Sequence, residues 1–180
     1  RLPFLLLPIL SGILAWASFT NVNQSYIAWI ALVPLLCYLL EVRKPGTAFW
    51  GGIVAGMVQF GASLYWIPPV LSRYGGIPSL AASGLFLLMV AVLASFSGLA
   101  CMLTRHGMNR RGNVFLLVFL PASIAQEYAR SFFPFGGFPW LLTGYSQSDH
   151  LQLIQAADLA GVYGISFLVV LVNVALVWVV

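Results

Sequence analysis

The chain has 180 residues, of which 61% are hydrophobic and 7% are charged, and its mean hydropathy is +0.98. A soluble domain typically has about a quarter of its residues charged and buries only about two thirds of its unfolded surface. This composition therefore excludes a soluble domain and predicts an integral membrane protein. The net charge of +4 comes from short clusters of Lys and Arg, which excludes the long basic face of a nucleic-acid groove.

Apolar windows of spanning length recur along the whole chain. A helix needs roughly 17 to 25 residues to cross a hydrocarbon layer of about 30 Å. The windows lie near residues 2–17, 26–41, 46–68, 78–104, 113–131 and 159–180. We therefore expect an all-α, polytopic membrane bundle of about six transmembrane helices. The second window is short and contains Pro34, which predicts a tilted or half-buried helix whose free backbone groups bond to neighbouring helices.

The basic residues between these windows predict the orientation. One side receives Arg1, Arg43, Lys44, Arg105, Arg110 and Arg111, and the other receives Arg73 and Arg130. By the positive-inside rule, the N-terminus and the two basic connectors are cytoplasmic. The run GGFPWLLTGYSQ at residues 136–147 then lies on the opposite side of the membrane.

Small residues recur at the spacing that packs helices in lipid. Gly52 and Gly56 are four apart in one window, and Ala94 and Gly98 are four apart in another. Such pairs let helix backbones approach closely and predict a compact bundle. Cys37 and Cys101 lie singly in apolar runs, which is typical of packing residues.

Glu127 and Arg130 are the ionisable residues that stand out inside an apolar window. They are three residues apart on one predicted helix face, and an ionisable group in the membrane interior costs a few kcal/mol. One interpretation is an ion pair that fixes the helix end and the following loop. The other is that Arg130 offers its guanidinium to a lipid phosphate while Glu127 holds it in place.

The polar stretch after this loop gives no sign of catalysis. Ser148 or Asp149 is a candidate cap for a short helix, and Asp158 for the last one. His150 beside Asp149 does not make a triad, because adjacent side chains point apart and no activated nucleophile is in evidence. Two isolated histidines give no metal ligand set, and no motif indicates a cofactor.

The run at 136–147 has the composition of a structured loop that contacts an amphiphile. Gly136, Gly137 and Pro139 predict tight turns, whereas Trp140 and Tyr145 combine apolar rings with a polar tip. At membrane depth such a loop must sit at the headgroup level or line a cavity walled by protein.

Several motifs occur together in one order along the chain. They are WASF before WIALVPLL, GASLYW before YGGIP, and QEYARSFF, GGFPWLLTGYSQ and GVYGISFLVVLVN. From about residue 10 to residue 175 this pattern resembles the membrane domain of the bacterial apolipoprotein N-acyltransferases.

The resemblance implies eight transmembrane helices around a periplasmic nitrilase-like domain inserted late in the chain. A cysteine there, helped by Glu and Lys, takes an acyl chain from a phospholipid as a thioester. It passes the chain to the amino group of the N-terminal diacylglyceryl-cysteine of a lipoprotein. Residues 1–180 would be a single transmembrane domain holding the first six helices of a longer chain, with none of the catalytic residues.

The resemblance also implies partners and a location. It indicates a multi-pass protein of the bacterial inner membrane, with a phospholipid acyl donor and a diacylated apolipoprotein acceptor. The substrate-binding residues that it suggests are Tyr65, Trp66, Glu127, Arg130, Gly137, Phe138, Pro139, Trp140, Tyr145 and Gln147. The alternative is a non-catalytic anchor for a lipid-linked enzyme such as a polyprenol-phosphate mannose synthase.

Overall fold

A computed structural model of the chain describes residues 2–20, 22–111, 115–134 and 136–179. Over these residues the regular structure is helical and includes no strand, which confirms the predicted all-α class. Arg1, the first residues of the fifth predicted window at 113–114 and Val180 at the end of the sixth lie outside this part of the chain.

The helices follow one another with short connections. In chain order they are α1 (Leu2–Ala17), a first 3₁₀ helix (Val22–Trp29), α2 (Val33–Glu41), α3 (Pro45–Ser63), α4 (Ile67–Gly75), α5 (Ser79–Arg111), α6 (Phe115–Arg130), a second 3₁₀ helix (Thr143–Gln147), α7 (Leu151–Ile154) and α8 (Ala157–Val179). We call residues 131–150, between α6 and α7, the long loop.

Three helical segments within the described residues are long and apolar enough to cross a membrane. They are Gln24–Glu41, Ser79–Asn109 and Ala157–Val179, and α3 with α4 would make a fourth. The helices α1 and α6 are apolar but have only 16 residues each. Every predicted window thus contains a helix, although only some of these helices reach the length of a full span.

The third predicted window, at 46–68, is wrong as a single helix. The helix α3 ends at Ser63 and α4 begins at Ile67, with a bend of 50° between their axes. Pro68 and Pro69 explain the break, because proline lacks a backbone N–H and is tolerated only in the first turn of a helix. This bend turns Tyr65 and Trp66 outward at the end of the bundle, where both are exposed.

Glycine allows α3 to pack directly against α5. A Cβ on Gly52 would lie 2.8 Å from the Cα of Gly98, and a Cβ on Gly56 would lie 2.8 Å from the Cα of Ala94. Real side chains do not approach so closely, so the two backbones touch at these positions. The predicted packing role of these four small residues is confirmed.

The irregular backbone before α2 is satisfied by polar side chains of other helices. Asn173 of α8 accepts a hydrogen bond from the amide of Leu32 (2.9 Å) and donates one to the carbonyl of Ala28 (2.9 Å). Ser11 of α1 donates to the carbonyl of Ala31 (2.6 Å). The second window is therefore a 3₁₀ helix joined to a short α-helix, and its neighbours complete the hydrogen bonds, as the sequence predicts.

The two basic connectors meet at one end of the bundle. Arg105, near the end of α5, donates to the carbonyls of Leu39 (3.4 Å) and Arg43 (3.3 Å), and Asn109 donates to the same Arg43 carbonyl (3.2 Å). The helix α5 has 33 residues and is about 50 Å long, so it extends beyond a hydrocarbon layer of about 30 Å. Arg43 and Arg105, from the two basic connectors, thus lie at the same end of the bundle, as the charge pattern predicts.

The contact between α3 and α5 makes a testable prediction. Gly56→Ala forces a methyl group against Ala94, and such overpacking costs about 1 to 3 kcal/mol. Gly61→Ala in the same helix is the matched control, because a Cβ there meets nothing within 4 Å and alanine favours a helix by up to about 1 kcal/mol. We expect Gly56→Ala to lower, and Gly61→Ala to keep or raise, the thermal unfolding temperature of the full-length protein in detergent. Equal shifts for both variants would contradict the direct contact.

Candidate functional site

The last turn of α6 carries two buried charged side chains. Glu127 is 3% exposed and Arg130 is 1% exposed, although both lie in a chain that is otherwise apolar. Three residues of helix place them on neighbouring parts of one face, which is turned toward the long loop and away from the surface. A charge in this position is stabilised only by nearby polar partners, so the identity of those partners decides what the pair does.

Glu127 holds the start of the second 3₁₀ helix. Its Oε1 accepts hydrogen bonds from the backbone amide of Thr143 (2.8 Å) and from the hydroxyl of Thr143 (2.6 Å). Hydrogen bonds to an ionised group are about twice as strong as neutral ones. Glu127 thus fixes the long loop at Thr143, sixteen residues further along the chain.

Arg130 holds the preceding turn of the same loop. Its Nη1 donates to the carbonyl of Trp140 (2.7 Å), and its Nη2 lies 3.4 Å from the carbonyl of Leu141. Its guanidinium carbon lies 4.9 Å from the centre of the Phe60 ring, within the range of a cation–π interaction. We call Glu127 and Arg130, with the loop atoms that they bind, the loop clasp.

Three residues of the long loop adopt a backbone conformation that favours glycine. Gly136 and Gly137 have φ values of 91° and 92°, and Leu141 has a φ of 56°. A Cβ on Gly137 would lie 2.6 Å from the amide nitrogen of Phe132, so no other residue fits there. Leu141 is not a glycine, so its left-handed conformation is strained. The hydrogen bonds from Arg130 to the carbonyls of Trp140 and Leu141 hold the backbone in this conformation.

The second half of the loop is bound to the first 3₁₀ helix by Gln147. Its side chain is fully buried, and its Nε2 donates to the carbonyl of Ser25 (2.9 Å). Its Oε1 accepts a hydrogen bond from the indole nitrogen of Trp29 (3.1 Å). On the opposite side, the amide of Gly144 donates to the hydroxyl of Ser166 on α8 (2.8 Å).

Aromatic rings cover the end of the bundle above the loop clasp. Trp66 and Trp140 stack with their ring centres 5.8 Å apart and 26° between their planes, and Phe138 lies 5.3 Å from Trp140. Trp140 is 50% exposed and Tyr65, next to Trp66, is 72% exposed. We call Tyr65, Trp66, Phe138 and Trp140 the aromatic rim.

The structure separates the ten predicted site residues into groups with different surroundings. Glu127 and Arg130 are buried in the loop clasp, and Gly137 shapes a turn beneath the rim. Tyr145 lies beside a separate pocket of about 410 Å³ that also involves Ser148 and Asp149. Pro139 is exposed next to the rim, whereas Gln147 is buried. A substrate-binding role for these residues stays a prediction.

Of the two interpretations of the charged pair, the direct ion pair is wrong, because Glu127 and Arg130 make no salt bridge with each other and each binds the long loop separately. The fixing of the loop that this interpretation included is what the contacts support. Both terminal nitrogens of Arg130 face loop carbonyls, and the bound oxygen of Glu127 faces Thr143. The sequence does not reveal the roles of Thr143 and Phe60, although Thr143 lies inside the run at residues 136–147. A threonine that follows apolar residues at the start of a turn is the signal that could have identified it.

His150 also has a partner that the sequence does not reveal. Its Nε2 lies 2.8 Å from the hydroxyl oxygen of Ser25, a residue of the first 3₁₀ helix that is 2% exposed. The short helix α7 begins directly after His150, so the predicted cap at Ser148 or Asp149 is wrong. Asp158 lies inside the first turn of α8 and is not its cap. Among the described residues, no three His, Cys, Asp or Glu side chains gather as a metal site.

Comparison with known proteins identifies a family. The family described as apolipoprotein N-acyltransferase N-terminal domain matches residues 11–175. A protein of Geobacter metallireducens named apolipoprotein N-acyltransferase is 40% identical over 173 residues, which is 95% of this chain and 32% of that protein. Proteins of the same name from Methylococcus capsulatus and Chromobacterium violaceum are 35% and 36% identical over 91% and 81% of the chain. The chain spans about a third of the length of these relatives.

The loop clasp makes a prediction about the amide of Thr143. In Glu127→Ala this amide loses its acceptor, and a hydrogen bond to a charged group is worth about 1.5 to 3 kcal/mol. We therefore expect hydrogen exchange at Thr143 to be about tenfold faster or more, measured by mass spectrometry of the full-length protein. Asp158→Ala, which removes an exposed carboxylate from α8, is the control and leaves this exchange unchanged. Exchange at Thr143 that is equal in all three proteins would contradict the clasp.

Proposed function

The chain belongs to the apolipoprotein N-acyltransferase N-terminal domain family, and on this basis we propose that it forms the membrane part of such an acyltransferase and admits its lipid substrates. The relatives reported above all carry the acyltransferase name, which supports this proposal over a non-catalytic anchor. The bundle would hold the enzyme in the membrane, and the loop clasp would hold the surface that the lipids meet.

The proposed reaction has two steps. An acyl chain passes from a membrane phospholipid to a cysteine as a thioester, and then to the amino group of a diacylated apolipoprotein. We assign the catalytic Cys, Glu and Lys to a nitrilase-like domain in the rest of the protein, for which the threefold greater length of the relatives leaves room. Cys101 is 1% exposed in the apolar core, which supports leaving it out of this chemistry.

The observation that carries the proposal is the aromatic rim on its buried support. Trp66 and Trp140 stack on each other, and both side chains are exposed at the end of the bundle where the long loop lies. Rings that combine an apolar body with a polar tip are favoured at a membrane interface, where lipid tails meet headgroups. Contact with an acyl chain is worth about 0.8 kcal/mol for each methylene that leaves water. The rim would therefore guide lipid chains toward the catalytic domain.

We also propose the orientation and the membrane. The bacterial inner membrane follows from the proposed substrates, and the N-terminus faces the cytoplasm. The meeting of Arg43 with Arg105 and Asn109 at one end supports this, because basic connectors remain on the cytoplasmic side. The aromatic rim then faces the periplasm.

The orientation can be tested with single introduced cysteines in the full-length protein. Lys44→Cys and Ser148→Cys are both exposed and lie in connectors that we assign to opposite sides. In intact spheroplasts, we expect a maleimide that does not cross membranes to label Ser148→Cys, and to label Lys44→Cys only after permeabilisation. Mass spectrometry of the labelled peptide separates these sites from native cysteines. Labelling in the opposite pattern would reverse the proposed orientation.

The role of the rim can be tested by removing one ring. Arg130 binds the backbone carbonyl of Trp140, so Trp140→Ala removes the stacked ring and keeps the loop clasp. We expect about tenfold slower acyl transfer from phospholipid to a diacylated lipopeptide, since aromatic contacts of this kind are worth about 1.5 kcal/mol. The abundance of the full-length protein in the membrane should stay unchanged.

Trp178→Ala is the matched control for this experiment. Trp178 is 65% exposed near the end of α8, away from the long loop, and its loss should leave both acyl transfer and abundance unchanged. Parallel loss of activity and abundance in Trp140→Ala would show a folding role for the rim. Absence of a hydroxylamine-labile acyl adduct on the unaltered full-length protein would overturn the acyltransferase proposal itself.

A further inference from the structure

A cavity of about 70 Å³ lies inside the bundle, directly behind the loop clasp. Leu35, Phe119 and Cys101 are among the residues that form its apolar wall. The part of the wall near the long loop is polar. Glu127 and Arg130 belong to the polar part, and they are the charged residues among the described ones that line it. We call this cavity the chamber.

Three buried polar atoms of the chamber residues have no hydrogen-bond partner within the described protein. They are Oε1 of Gln126, Oε2 of Glu127 and Nε of Arg130. Each such buried group costs about 1 to 3 kcal/mol if it stays unpaired, and more if it is charged. Three such atoms on residues that line one cavity therefore indicate that a polar molecule binds in the chamber.

The chemistry of these three atoms restricts the guest. The Glu127 and Gln126 oxygens need a donor, and the N–H of Arg130 needs an acceptor. A phosphodiester anion offers no donor, any phosphate places further negative charge beside Glu127, and a metal cation offers no acceptor and is repelled by the guanidinium. The two charged residues balance each other, so a neutral guest is favoured. Water both donates and accepts, and one molecule needs only about 10 to 15 Å³ on this measure of volume.

We propose that the chamber binds a small cluster of water molecules, held by Gln126, Glu127 and Arg130. The clasp uses one oxygen of Glu127 and two nitrogens of Arg130 on the loop, and the water takes the remaining polar atoms. The two charged side chains are thereby solvated inside the bundle. This inference does not depend on the acyltransferase proposal, because it concerns the interior of the bundle alone.

Hydroxyl-radical footprinting of the full-length protein tests the inference without measuring activity. X-ray pulses generate radicals from water in place, so buried side chains beside bound water are modified promptly. Phe60 and Phe119 line the chamber and are 2% and 3% exposed. Tyr38 is an internal reference because it is also 2% exposed and lies outside the chamber lining. We expect the chamber phenylalanines to be modified at least threefold faster than Tyr38, although tyrosine is intrinsically no less reactive.

A variant that fills the chamber provides the matched comparison. Ser123→Leu places an apolar side chain in the lining, whereas Ser83→Leu changes an exposed serine of α5. Modification of Phe60 and Phe119 should fall at least threefold in Ser123→Leu and stay unchanged in Ser83→Leu. If Phe60 and Phe119 of the unaltered protein react no faster than Tyr38, the chamber holds no water cluster. That measurement decides the question even if Ser123→Leu fails to fold.

Discussion

The structure depends on one constraint, which is that backbone polar groups surrounded by lipid must find partners inside the protein. A regular helix meets this requirement with its own hydrogen bonds. The backbone is not regular α-helix before α2 and after α6, so it needs other partners there. Asn173 supplies the missing partners in the first case, and Glu127 and Arg130 do so in the second. These three buried polar side chains thus act where the backbone is irregular.

This placement links the interior of the bundle to its exposed end. Arg130 and Glu127 fix two successive turns of the long loop, so the ring of Trp140 is presented from a backbone that the bundle controls. The stack on Trp66 then ties the long loop to the bend between α3 and α4. The exposed aromatic rim is therefore supported by charged side chains that are themselves buried in the bundle.

The sequence predicts features that depend on local pattern, and misses those that depend on distant partners. Apolar windows locate the helices, and the spacing of Gly52 and Gly56 correctly identifies a close helix contact. The motif order identifies the family, because it extends over most of the chain. The sequence does not reveal that Gln147 binds Ser25, 122 residues away, or that Arg130 binds backbone carbonyls. Hydropathy contains no information about such pairings, and proline alone marks the break after α3.

The position of Asn173 also bears on biogenesis. Its partners at Ala28 and Leu32 precede it by 145 and 141 residues, so they are synthesised long before it. At about 5 to 20 residues per second, the ribosome needs on the order of ten seconds to reach Asn173. During that interval the amide of Leu32 and the carbonyl of Ala28 lack the partner that Asn173 provides in the complete fold. These two hydrogen bonds therefore form only after α8 has been synthesised, so the contact between the second window and α8 is a late step in assembly.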